Sequence, residues 1–160
     1  MQRLLQCLLV LLLGSALMAC GPPRKSVFPP HVTIQQLVVM PDGQWQLTLR
    51  IQNNSYDEMD FNALSGQLQV GNQVPVLVRA AFNRAIPELA GDVITLEVAP
   101  TAAMSQALEA AGAKGSSGSL EYQLSGSVTA TPEQTKKTRD FEFKGTDWLS
   151  PVPGIAHTYR

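Results

Sequence analysis

From His31 onward apolar and polar residues alternate in short runs, the pattern of strands with one dry face and one wet face. The clearest run is Trp45 to Gln52: Trp45, Leu47, Leu49 and Ile51 share one face, and Gln46, Thr48, Arg50 and Gln52 the other. Leu64, Leu68 and Val70 repeat the pattern with Gly66 in phase. Val74, Val76, Val78, Ala80 and Phe82 follow, with Arg79 and Asn83 turned away. Ile94-Leu96-Val98, Leu120-Tyr122-Leu124 (continued past Gly126 to Val128) and Phe141-Phe143 give three further runs. Between Val32 and Val39 the phase changes. Val32 and Ile34 fall on one face and Leu37 and Val39 on the other, so an extra residue at Gln35-Gln36 is needed to restore a single inward face, as a β-bulge does.

Turn residues separate these runs. Pro41-Asp42-Gly43 and Gly71-Asn72 read as tight turns, and Asn53 to Asp60 as a longer polar connection. Thr101 to Gly112 breaks the strand rhythm: Met104, Ala107, Leu108 and Ala111 recur at helical spacing, with Thr101 placed to cap the start and Gly112 the end. Strands that each have one dry face cover one another. The expected fold is therefore mainly β, an antiparallel β-sandwich of the immunoglobulin or fibronectin kind, with seven or eight strands and one short α-helix.

The chain ahead of this domain has a different pattern. Met1 to Arg3 carry one positive charge, and Leu4 to Leu13 form an apolar run broken only by Gln6 and Cys7. Gly14 and Ser15 then loosen it before Leu17-Met18-Ala19-Cys20. That order is a secretory signal, with an apolar run short of the ~20 residues of a membrane-spanning helix. Leu17-Met18-Ala19-Cys20 resembles the lipobox of bacterial lipoproteins. The resemblance implies cleavage between Ala19 and Cys20, a diacylglycerol on the Cys20 sulfur and acylation of the new amine. Two simpler readings stand beside it, an ordinary signal ahead of a free cysteine and an uncleaved anchor. The expected organisation is a signal peptide over residues 1–19, a lipidated Cys20 with a Pro-rich tether over 20–30, the sandwich over 31–147, and a tail over 148–160. Gly21 stands where an Asp tends to retain such lipoproteins in the inner membrane, so a Gram-negative source implies the periplasmic face of the outer membrane. Pro22, Pro23, Pro29 and Pro30 favour an extended tether of roughly 30 Å at about 3.1 Å per residue. Arg24 and Lys25 within it either meet anionic head groups or are simply solvated.

Charge and candidate chemistry narrow the function. The formal net charge is −1, which points away from nucleic acid. With Cys7 in the signal and Cys20 bearing lipid, neither cysteine is left for a disulfide, a metal or a nucleophile. His31 and His157 sit near the two ends of the domain with no pattern tying either to a nucleophile. Asp57, Glu58 and Asp60 cluster without the ordered spacing of a calcium loop and read as a solvated loop. Gly112 to Gly118 follows a helix rather than a strand, so it reads as a connector and not a phosphate cradle. Asn53-Asn54-Ser55 fits the glycosylation pattern, which has little meaning in a bacterial envelope. The expectation is thus no catalytic, metal-binding or cofactor-binding residue, no cofactor beyond the covalent lipid on Cys20, and no small-molecule substrate. Trp45 reads as core. Trp148 opens a proline-marked apolar tail, Leu149 to Ile155, that either folds back over the sandwich or offers a patch to a partner.

The order of strand motifs resembles the type 2 late embryogenesis abundant proteins, also called the water stress and hypersensitive response domain. Ile51-Gln52-Asn53-Asn54-Ser55 stands where that family's second strand ends in Asn-Pro-Asn, without the proline. Leu64-Ser65-Gly66-Gln67-Leu68-Gln69-Val70 matches the next strand. Ala85-Ile86-Pro87-Glu88-Leu89 with Ile94 to Val98, and Leu120 to Val128 with its Tyr-x-Leu-x-Gly pattern, match later segments. The resemblance covers about residues 31–147 and implies a non-enzymatic protein linked to dehydration stress. Together these readings describe an envelope lipoprotein, held to the membrane through its lipid anchor, with a non-catalytic stress-protective domain. The alternative is a binding or adaptor module that meets envelope proteins through strand edges or the apolar tail.

Overall fold

A computed structural model describes residues 23–160. The signal over residues 1–19, the cleavage site at Ala19 and Cys20, and the lipid site at Cys20 lie outside the described residues. Among the described residues eight strands form: β1 His31–Val39, β2 Trp45–Gln52, β3 Met59–Val70, β4 Val76–Ile86, β5 Gly91–Val98, β6 Leu120–Pro132, β7 Arg139–Leu149 and β8 Thr158–Tyr159. One α-helix, α1 (Ala102–Gly112), stands between β5 and β6. The strands make two antiparallel four-stranded sheets, β5-β2-β1-β8 and β4-β3-β6-β7, packed on a shared apolar core. The expected mainly-β sandwich with one short helix is the fold observed.

The inward faces follow the alternation. Trp45, Leu47, Leu49 and Ile51 of β2 are fully buried, facing Leu64, Leu68, Tyr122, Leu124 and Val128 of the other sheet. The phase change in β1 is a bulge at the expected place: Ile34 pairs with Leu49 and Gln36 with Thr48, so Gln35 is the extra residue. A second bulge lies in β3, where pairing to both neighbours shifts between Phe61 and Ala63. It puts Met59 and Phe61 on the same inward face as Leu64 and Leu68, and it lengthens β3 into what the sequence presented as a polar connection. Val74 departs from its expected inward phase. It is 72% exposed in the turn before β4, which is an edge strand and covers the core mainly through Val78 and Ile86.

In the middle of the second sheet Gly66 pairs with Gly126. A Cβ on Gly66 would stand 2.5 Å from the Ser125 carbonyl oxygen, and one on Gly126 would collide with the Ser65 carbonyl, so the strands approach too closely there for any side chain.

The helix starts as expected, with Thr101 Oγ1 accepting the Met104 N–H at 3.2 Å, and buries Met104, Leu108 and Ala111. Its end corrects the sequence reading. Gly112 is the last helical residue and the cap is Ala113 in ordinary right-handed backbone, so Gly112 is not a left-handed terminator. A Cβ at Gly112 would lie 2.5 Å from Tyr159 Oη, so it is the passing Tyr159 that favours glycine there. The tail folds back as a hairpin: Ser150 and Arg160 exchange backbone hydrogen bonds, Val152 N–H donates to the Thr158 oxygen, and β8 pairs with Leu37 and Val38 of β1. Helix and tail close one end of the sandwich. At the other end lie the turn from β2 to β3, the start of β5 and the β6–β7 connection.

Candidate functional site

That second end concentrates the polar chemistry of the interior. Asn53, Ser55 and Asp57, all in the connection from β2 to β3, are buried, and the only other buried polar residue among those described is Thr158. The chain there leaves one sheet for the other, so its backbone groups lose ladder partners and need others. Asn53 supplies them. Its Nδ2 lies 2.9 Å from the Asp57 oxygen, 3.1 Å from the Ile86 oxygen and 3.0 Å from the Pro87 oxygen, two N–H donors shared among three carbonyls. Its Oδ1 accepts the Ser55 N–H at 2.9 Å, and its own N–H donates to the Ala90 oxygen. One side chain thus ties the β2–β3 turn to the end of β4 and to the turn leading into β5.

Ser55 and Asp57 extend the tie to the N-terminal segment. Ser55 Oγ accepts the Phe28 N–H at 2.9 Å and stands 3.1 Å from both the Phe28 oxygen and Met59 Sδ, with one proton to give. Asp57 Oδ2 accepts the Gln134 N–H at 2.9 Å, and Oδ1 lies 3.6 Å from Lys25 Nζ, which is equally far from Glu88 Oε2. Gln134 holds the segment at both of its polar ends, its Oε1 accepting the Lys25 N–H and its Nε2 donating to the Pro23 oxygen, each at 2.9 Å. Tyr56 N–H donates to the Ser26 oxygen, Asn54 Nδ2 to the Pro29 oxygen, and Pro30 is buried.

Two expectations change here. The described part of the proline-rich tether, residues 23–30, lies pinned along the corner rather than reaching outward. Asp57 is not part of a solvated loop: it is 1% exposed, because its carboxylate closes the β6–β7 turn and faces Lys25. Asp60 is paired into β3 between Ala85 and Thr131, and the Glu58 backbone oxygen accepts the Glu133 N–H. Among the described residues no group of His, Cys, Asp and Glu is arranged to hold a metal ion.

His31 and His157 stand beside opposite ends of β1. His31 opens the strand, and the His157 carbonyl accepts the Val39 N–H at its close. His157 lies in a groove of about 700 Å³ between the end of α1 and the tail, with Glu109, Pro153 and Tyr159 also on its walls. Burial, and then the charge of Glu109, push the Tyr159 hydroxyl above the usual tyrosine range. Trp45 is core as expected, and its indole Nε1 has no partner among the described residues. Trp148 and Ile155 remain exposed at the helix-and-tail end.

The corner end carries exposed apolar groups of its own, which sequence reasoning missed. Phe28 and Tyr56 meet edge to face with ring centroids 6.4 Å apart, and Leu89 is joined to the same turn by its N–H donating to the Ser55 oxygen. Arg24, Lys25, Gln134 and Lys137 line a groove of about 510 Å³ at the same end. Phe28 sits in a segment of prolines and cations, so no alternation betrayed it.

No family model matches the chain, and no curated protein matches it. Solved structures do resemble it. The solution structure of the protein AT1g01470 of Arabidopsis thaliana shares 8% identity over 87% of this chain and 88% of its own, with a TM-score of 0.49. A solution structure of a protein provisionally classed as late embryogenesis abundant shares 13% identity over 81% of this chain and 74% of its own, with a TM-score of 0.41. A Bordetella pertussis protein provisionally named ApaA shares 11% identity over 81% of this chain and all of its own, with a TM-score of 0.45. These are likenesses in the course of the backbone and carry no activity with them.

Proposed function

We propose that the protein is a lipid-anchored, non-catalytic domain of the cell envelope that shields neighbouring proteins and lipids during drying and related stress. The observation that carries this reading is the Asn53 corner. The residue standing where the resembled family places an asparagine is the one whose side chain bonds three carbonyls and joins three segments of chain. Support for the non-catalytic part comes from how the buried polar groups are used: Asn53, Ser55 and Asp57 are committed to backbone partners of the corner. The outer sheet faces carry amide and hydroxyl side chains, among them Gln46, Thr48, Ser65, Gln67 and Ser125, suited to holding a water layer. Leu17-Met18-Ala19-Cys20 supports the anchor at Cys20 and, with Gly21, a periplasmic position at the outer membrane of a Gram-negative cell.

The test dries a labile enzyme, and separately liposomes, with the chain from residue 20 onward carrying Cys20→Ser, against an equal mass of an inert protein. Recovery well above the inert protein is expected, together with poorer survival of drying by cells lacking the gene. Equal recovery in every arm sinks the shielding role. The adaptor reading has one observation of its own, the exposure of Trp148 and Ile155 at the end away from the anchor. Cross-linking from position 148 in cells that repeatedly captures one envelope protein would favour it.

A further inference from the structure

We propose that the corner end of the sandwich is a membrane seat, on which Phe28, Tyr56 and Leu89 enter the head-group region of the bilayer that holds the lipid on Cys20. The inference rests on the anchored reading and adds to it which face meets the membrane, and through which side chains.

Reach comes first. The Pro23 carbonyl is fixed to Gln134 on the domain, so the chain from an acylated Cys20 to that fixed point spans at most about 10 Å, at ~3.3–3.6 Å per residue. The polar layer of a bilayer is itself roughly 5–7 Å deep on each side. A lipid on Cys20 therefore draws the corner end to the head groups, while Trp148 and the helix stay a strand length away, on the order of 25 Å.

The surface so placed has the chemistry of an interface. Phe28, Tyr56 and Leu89 are 45%, 55% and 55% exposed, grouped around the Ser55 turn. Aromatic rings settle at the boundary between water and acyl chains. Arg24 and Lys137 line the groove around Gln134 at the same end and have no acidic partner within 4.0 Å among the described residues, which leaves their charge for anionic head groups. Lys25, by contrast, is held by Asp57 and Glu88.

Leu89 adds an independent observation. It sits at φ 56 in a turn closed by the Ala90 N–H to the Pro87 oxygen, a left-handed position that suits glycine or asparagine. A branched apolar residue held there, exposed and strained, contributes nothing to the core. An outlier of this kind points to use of its side chain.

The test reconstitutes the full chain, processed in a lipoprotein-forming bacterium, into vesicles of phosphatidylethanolamine and phosphatidylglycerol, some with brominated acyl chains. Phe28→Trp and, separately, Tyr56→Trp are placed in a Trp148→Phe background, so that buried Trp45 is the constant emission. The expected result is that the new tryptophan loses most of its emission to brominated lipid and little to aqueous iodide, while Trp148 of the unaltered chain behaves oppositely. Mass measurement of the N-terminal peptide tells the two ideas apart. An unacylated Cys20 overturns anchor and seat together. Acylated protein in which both new tryptophans are quenched by iodide and untouched by brominated lipid overturns the seat alone.

Discussion

Tyr122 Oη accepts the backbone N–H of Ile34 at 2.9 Å, across the core from one sheet to the other. Ile34 adjoins the bulge at Gln35, and there the N–H goes to a side chain rather than to a strand. Tyr122 is 2% exposed, so the bond lies in a water-free interior. Tyr122→Phe keeps the ring and strands the N–H, at a cost of about 1–3 kcal/mol, read as a lower urea midpoint with unchanged slope. Burial is the main cause holding the Tyr122 ionisation above its usual value; the Ile34 bond opposes it and Asp147 adds to it. The unfolded chain then sheds its tyrosine proton first as pH climbs past about 10, and the folded state binds more protons there. Stability falls with rising pH in that range, and the fall is shallower in Tyr122→Phe, where Tyr159, raised in the same direction, still contributes.

Asn53→Ala removes, from a fully buried position, the partner of three carbonyls and of the Ser55 N–H. A loss of about 3 kcal/mol or more is expected, because buried groups left unpaired carry their full desolvation cost. Asn53→Asp gives no rescue, since a carboxylate has no donor for the carbonyls and would face them with negative charge. Thermal unfolding of both variants measures this. Hydrogen exchange should also show the Tyr56 and Phe28 amides opening before the strands do, as the N-terminal segment loses its mooring.

Much of this fold was legible because its strands have one wet face, and a period of two exposes both register and bulge. The break at Gln35 shows it: where both halves of a strand bury their apolar residues in one core, a phase change between them requires an inserted residue. The bulge between Phe61 and Ala63 escaped because Met59 and Phe61 stand among Asp57, Glu58, Asp60 and Asn62, where polar residues hide the alternation. Gly112 was legible as a helix end and not in its reason, since the Tyr159 ring that needs the space arrives from far along the chain. The corner was the least legible part. Burial of Asn53, Ser55 and Asp57 depends on contacts with residues near 25, 86 and 134, and no local spacing encodes such meetings.

Leu89→Gly should raise stability by about 0.5 kcal/mol, the relief of a left-handed leucine less the greater freedom of glycine in the unfolded chain. Leu89→Ala keeps a Cβ at φ 56 and should give no gain, which separates relief of strain from removal of an exposed side chain. Both should weaken association of the Cys20→Ser chain with vesicles if Leu89 enters the head groups. Urea midpoints and vesicle sedimentation on the same three proteins therefore read strain and seating separately. A leucine that proves neutral in stability and in sedimentation has neither role.

Ending the chain at Leu149 removes β8 and the hairpin that carries it. Leu37 is fully buried and pairs with Tyr159, and Val38 pairs with Thr158, so truncation uncovers an apolar stretch of β1 together with its unpaired edge. Open edges of that kind recruit other strands. The truncated protein is expected to self-associate in light scattering at concentrations where the full chain does not, and to unfold at lower urea. The space that Tyr159 leaves beside Gly112 supplies a control. Gly112→Ala should be destabilising in the full chain, where its Cβ meets the tyrosine hydroxyl and the ring must shift, and tolerated in the truncated one. Equal cost in both would mean that Gly112 is constrained by the helix end itself and not by the passing tail.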